Sequence, residues 1–238
     1  MAMPARPTSE LELMRIRAEA LYVHDARSRI VSVNEPDGNI ASRFFLARTP
    51  AGNLWRYRGD LPDDLTAQLE ALCADEPVTA ELSPTPAHRE QYIRLLASHA
   101  PIEEVSAGPT YWFSEDASPS AEPVAIGAAN ADLLRGGLDD WLVDVPDRHP
   151  FMAIIEEGHA VSVCASVRIT DAAHEAGVET LPAHRRRGHA VNVVASWANA
   201  VQKMGAAALY STSWDNLASQ GVAAKLGLTM FGVDFHVR

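Results

Sequence analysis

Cysteine is scarce in this chain of 238 residues. The two present, Cys73 and Cys164, cannot make a disulfide framework, and no Cys-x-x-Cys pair exists to hold zinc. Positive charge is short as well: 20 Lys+Arg stand against 31 Asp+Glu, a formal net charge of −11. That balance argues against nucleic-acid binding, whose affinity comes largely from cations paired with phosphates. No apolar run approaches the roughly 18 residues that a membrane helix needs. Met1-Ala2-Met3-Pro4-Ala5-Arg6 lacks the apolar core of a signal peptide. These absences predict a soluble, cytoplasmic protein with free thiols and no membrane attachment. What is present is ordinary globular material, 47% hydrophobic and 21% charged, enough for a real core and against disorder. The length suits one large domain or two small ones.

A composition shift near residue 100 predicts an N-terminal α+β module over 1–100, a linker over 101–121 and a second domain over 122–238. In the first part, Ser9-Glu10-Leu11-Glu12 is a capping-box pattern, and Leu11, Met14, Ala18 and Leu21 predict a helix over Ser9–Val23. Arg29–Asn34 reads as a strand ended by the turn Glu35-Pro36-Asp37-Gly38. Arg43–Arg48 and Leu54–Arg58 read as a hairpin around Pro50–Asn53. A helix follows from Pro62 with Leu65, Leu69 and Leu72 on one stripe, and another over Ala87–His99. No catalytic constellation lies here, so the module is expected to pack and to shape substrate access rather than to carry chemistry.

The linker, with Pro101, Gly108, Pro109 and the polar Ser114–Ser120, encloses a short strand at Tyr111–Phe113. Beyond it the pattern predicts a strand at Pro123–Gly127 and short helical pieces over Asn130–Trp141. A hairpin of Phe151–Glu156 and His159–Thr170 follows, joined by Glu156-Glu157-Gly158. Then come a strand at Glu175–Leu181, a helix over Gly188–Met204, a strand at Ala206–Ser211, a helix over Asn216–Leu226 and a closing strand at Leu228–Val237. That order calls for an α/β fold with a mixed sheet and helices packed on its faces.

The most informative segment is Leu181-Pro182-Ala183-His184-Arg185-Arg186-Arg187-Gly188-His189-Ala190, between a strand and a helix. Free backbone N–H groups and the macrodipole at such a helix start attract anions. Gly188 and Ala190 allow close approach, and three arginines add fixed charge; the alternative is that they are solvated loop charges. The segment lacks the Lys and spacing of a P-loop and the three glycines of a dinucleotide fingerprint.

Arg185-Arg186-Arg187-Gly188-His189-Ala190 is similar to the Gln/Arg-x-x-Gly-x-Gly/Ala signature of the GNAT superfamily of acyl-CoA-dependent N-acyltransferases. Tyr210–Asn216 and Lys225-Leu226-Gly227-Leu228 resemble that family's later motif, and the resemblance covers about residues 120–238. It implies a GNAT-like core with an N-terminal accessory region, and acetyl-CoA as co-substrate with no metal. It also implies a small-molecule or peptide amine as acceptor, and leaves a homodimer open. Carried over residue by residue, it places the pyrophosphate at the amides of Arg186 through Ala190, beside Arg185, with Arg187, Gly188 and His189 in that stretch. Val178, Thr180 and Leu181 would meet the pantetheine arm, and Asn216 and Ser219 would touch it near the thioester; Asn216 could equally be a helix cap.

Amine attack on a thioester needs a proton acceptor. Glu175 and Glu179, four residues apart on the strand before the loop, share a face if no bulge intervenes; the alternative is a solvated strand face. The family's usual Tyr proton donor is replaced here by Ala223, which leaves Ser219, Ser213, Tyr210 or water. His184 and His189 are expected to border the phosphates rather than to bind metal. Cys164 has no readable activating base. A non-catalytic acyl-CoA-binding or regulatory protein is the competing expectation.

Overall fold

A computed structural model describes residues 9–36, 38–114 and 117–238. Met1–Arg6, Asp37 of the expected turn and Glu115–Asp116 of the expected linker lie outside the described residues. In chain order the elements begin with α1 (Glu10–Leu21), β1 (Tyr22–His24), β2 (Ile30–Val33), β3 (Phe44–Thr49) and β4 (Gly52–Tyr57). Next come α2 (Asp63–Asp75), α3 (Arg89–His99), β5 (Val105–Trp112) and β6 (Val124–Ala125). Two short 3-10 helices, Ala131–Leu134 and Asp139–Asp144, precede β7 (Phe151–Glu156), β8 (His159–Ile169) and β9 (Ala173–Thr180). A 3-10 turn at Pro182–His184 leads into α4 (His189–Lys203), β10 (Ala207–Ser211), α5 (Leu217–Lys225) and β11 (Thr229–Val237).

The chain forms two compact units. One holds the described residues through Tyr111 together with Ser211–Leu217 and Met230–Arg238. Its strands run in the order β4-β3-β11-β5, with β3 antiparallel to both neighbours, and β1 and β2 form a separate antiparallel pair. The core joins Phe44 and Leu46 of β3, Phe235 and Val237 of β11, and Leu65, Leu69, Tyr92 and Leu96 of α2 and α3. The expected stripe of α2 is therefore buried, and the closing strand completes a core begun by the first hundred residues. Arg43 donates to the carbonyls of Leu96 (3.0 Å), Ala100 (3.1 Å) and Pro101 (2.8 Å), tying the start of β3 to the end of α3 and the segment after it.

The other unit comprises Trp112–Tyr210 and Ala218–Thr229, whose strands run β10-β9-β8-β7-β6. β10 lies parallel to β9, and the remaining pairs are antiparallel. This is the mixed sheet with helices that the element order requires. On one face α4 buries Val193, Val194, Trp197, Ala198 and Val201. There the Trp197 indole N–H donates to Ser166 Oγ (3.0 Å), and Ser166 Oγ meets His174 Nδ1 (2.8 Å). Elsewhere Leu134, Leu138 and Val145 pack with Phe151, Ala153 and Val163.

Several boundaries differ from the sequence reading. α1 stops at Leu21 because Tyr22 and Val23 pair with Val33 and Ser32, a tertiary pairing that overrides the helical period. The hairpin turn is Pro50-Ala51, since Thr49 pairs with Gly52. Pro62 is the N-cap of α2 rather than its first residue. The short strand expected at Tyr111–Phe113 is the end of the longer β5, and β9 starts at Ala173, two residues early.

Candidate active site

β9 has a paired beginning and an open end. Its ladder with β10 holds three register pairs, Ala207↔Ala173, Ala208↔His174 and Leu209↔Glu175, yet β9 continues to Thr180. On its other edge β9 stays paired with β8 through Thr180↔Ser162. The Leu181 amide donates to Val161 O (2.9 Å), which fixes the alternation: Gly177 and Glu179 turn their main-chain groups to β8. Ala176, Val178 and Thr180 therefore direct theirs away from β8, on the side where β10 has departed. Leu181 has both main-chain groups engaged, its N–H by Val161 and its carbonyl by His184 N (2.9 Å), and the Thr180 carbonyl accepts from Arg185 Nε.

The strand runs directly into the basic loop. After the 3-10 turn, Arg186 takes φ 62° and Gly188 takes φ 86°, and α4 begins at His189 with no side-chain cap. Space around Gly188 is open, so its backbone sign, rather than crowding, is what favours glycine there. The first helical bond is Asn192 N to Gly188 O (3.1 Å), which leaves the amides at the start of α4 without helical acceptors. The arginines diverge. Arg185 Nε donates to Thr180 O (3.2 Å), Arg187 reaches Glu156 (3.4 Å), and Arg186 is exposed. His189 turns its ring to Glu156, with Nε2 3.1 Å from Oε1.

Glu175 and Glu179 do share a face, because the irregularity in this pairing lies in β8, between Ser166 and Arg168. Their surroundings differ. Glu175 is 4% exposed, whereas Glu179 is exposed and its Oε2 accepts the Trp141 indole N–H at 2.6 Å. The indole reaches Glu179 across Gly177, where a Cβ would overlap Val167 and stand 3.2 Å from the Trp141 ring. Trp141 itself is braced edge-on against Phe151, with centroids 5.6 Å apart.

At the far end of β10, Tyr210 Oη and Ser219 Oγ are 2.6 Å apart, and Ala223 is buried. Asn216 lies just before α5, its amide donating to Ser213 O (3.2 Å). Cys164 is fully buried and its thiol is pushed well above its usual range by that burial, which removes it as a nucleophile. The sequence reading missed Trp141 and Glu156. Neither lies in a motif, and each meets its partner from more than 20 residues away along the chain. Tyr210 was one of several proton sources left open, and nothing in its spacing marks Ser219 as its partner.

Residues 152–232 match the family model for GNAT acetyltransferases. No curated protein matches the chain by sequence. Among solved structures, a GCN5-related N-acetyltransferase from Sphaerobacter thermophilus superposes with a TM-score of 0.50 at 13% identity, over 85% of this chain and 78% of that one. A GNAT-family acetyltransferase from Colwellia psychrerythraea gives 0.48 at 13% identity, over 99% and 75%. A GNAT-family protein from Novosphingobium aromaticivorans gives 0.49 at 14% identity, over 57% of this chain and 65% of that one. The matched segment contains the hairpin, the open-ended β9, the basic loop, α4 and α5, and over this segment the chain is similar to GNAT acetyltransferases.

Proposed function

We propose that this protein is an N-acetyltransferase that moves the acetyl group of acetyl-CoA to a primary amine by direct attack in a ternary complex. The observation that carries this reading is the early end of the β9–β10 ladder, with Val178 and Thr180 directing main-chain groups outward just before the uncapped start of α4. Those strand groups suit the amide-rich pantetheine arm, and the Arg186–Ala190 amides suit the pyrophosphate. Acetyl-CoA supplies the activated acyl group. Glu179 accepts the amine proton, because it is the exposed carboxylate of the pair and Trp141 fixes it through one oxygen, leaving the other available. As the C–S bond breaks, Ser219 Oγ protonates the departing thiolate and is resupplied by the Tyr210 hydroxyl.

A second reading is favoured by one observation: a buried Ala223 stands where the resemblance expects a tyrosine acid. Under it the protein binds acyl-CoA without turning it over. Release of free CoA thiol from acetyl-CoA, followed with a panel of small-molecule and peptide amines, tests the two. Amine-dependent release establishes transfer. Calorimetric binding of acetyl-CoA with no release across the panel establishes the second reading, and no binding overturns both.

A further inference from the structure

Three potential metal-ligating side chains outside the proposed transfer chemistry converge beside the basic loop. Glu156 ends β7, and the turn Glu157-Gly158, with φ 51° and 84°, fixes it in the hairpin. His184 ends the 3-10 turn, and His189 opens α4. Glu156 Oε2 is 2.8 Å from His184 Nδ1, and Oε1 is 3.1 Å from His189 Nε2. One ligand atom from each residue falls within 4.8 Å of the others. His189 Nε2 is a buried atom that meets the Glu156 carboxylate as an ion pair, at an angle short of a hydrogen bond.

We propose that Glu156, His184 and His189 form a binding site for a zinc-class divalent ion. Zn²⁺ bonds of about 2.0–2.2 Å in a tetrahedron place ligand atoms about 3.4 Å apart, so small side-chain rotations suffice to seat the ion. Two imidazoles and one carboxylate are a donor set that suits zinc rather than magnesium or calcium, which prefer oxygen throughout. Partial exposure of Glu156 (33%) and His184 (26%) leaves the fourth position open to water or another oxygen ligand. Arg187, 3.4 Å from Glu156, is 55% exposed on a long side chain and swings away as the ion replaces its charge. Beside the expectation that these histidines border the phosphates, the proposal adds a metal site built from three separate elements. The site uses the His189 side chain, whereas the proposed pyrophosphate contact uses main-chain amides of the same loop, so zinc uptake is measured without acetyl-CoA.

The test titrates chelator-stripped full-length protein with zinc chloride by calorimetry, without acetyl-CoA. One zinc per chain is expected, and His184→Ala or His189→Ala should weaken uptake by roughly tenfold or more. His99→Ala, at an exposed histidine at the end of α3, should leave it unchanged. Cobalt(II) on the native chain supplies a readout that needs no variant: an intense tetrahedral visible band, bleached by zinc, is expected. No uptake, uptake indifferent to both histidine variants, or only the pale spectrum of octahedral cobalt would overturn the site.

Discussion

The two units use polar side chains in opposite ways. In the unit containing the first hundred residues, charged groups are buried and spent on one another. Arg17 meets Asp234 at 2.7 Å, His236 lies 3.2 Å from the same oxygen, and the Tyr22 hydroxyl completes the chain at His236 Nδ1 (2.7 Å). Arg48 likewise donates to Ser83 O (2.6 Å) and lies 3.9 Å from a buried Glu76. In the other unit, Glu179, Arg185, Arg186 and Arg187 are exposed, beside a strand end whose main chain faces outward. A buried, mutually satisfied network fixes a fold, whereas exposed charges near free amides are available to a ligand. The contrast is between buried charges that pair with one another and loop charges that stay exposed.

Breaking the buried network should have the largest effect. Arg17→Leu leaves Asp234 buried without its guanidinium and should cost about 3–5 kcal/mol in urea unfolding. Arg187→Ala in the other unit removes only an exposed pair and should cost less than about 1 kcal/mol. Equal losses would erase the contrast.

Next in size is Glu179→Gln. Under the proposed transfer reaction it should lower turnover roughly a hundredfold or more by removing the proton acceptor, with acetyl-CoA affinity unchanged. Glu175→Gln, at a buried position, should show its effect in the unfolding curve instead. Normal turnover and pH profile in both variants and in their double would move the base elsewhere.

Acid should separate the units further. Burial alone would raise the Asp234 carboxyl, but His236 and Arg17 outweigh it and hold the carboxyl down at about 2. Its ordinary unfolded value is about 3.9, so the folded state binds the proton less readily. This contribution, about 3 kcal/mol, is fully present above about pH 5 and is lost as pH falls through about 2. Asp234→Asn should therefore flatten the dependence of unfolding free energy on pH across that window. An unchanged slope would show that other carboxylates carry the acid sensitivity.

The smallest expected effect sharpens the loop assignment. Gly188→Glu introduces a side chain at φ 86° and a negative charge at the start of α4, and should weaken acetyl-CoA binding by roughly tenfold. Calorimetry on a variant with native circular dichroism checks it, and unchanged affinity would remove the pyrophosphate from this loop.

Local chemistry made much of the architecture legible. Ser9 caps α1, as the capping-box pattern requires, and Leu65 and Leu69 bury the expected stripe of α2. The Glu156-Glu157-Gly158 turn marked β7 and β8, and Gly188 marked the start of α4, where it takes φ 86°. Such features depend on neighbours a few residues away, and the sequence by itself determines them. Where β9 parts from β10, which of Glu175 and Glu179 is exposed, and that β11 completes the core begun by Phe44 were decided by the tertiary structure. So were the meetings of Trp141 with Glu179 and of Glu156 with His184 and His189. Each joins residues distant along the chain, and strand register and packing, rather than any local preference, bring them into contact.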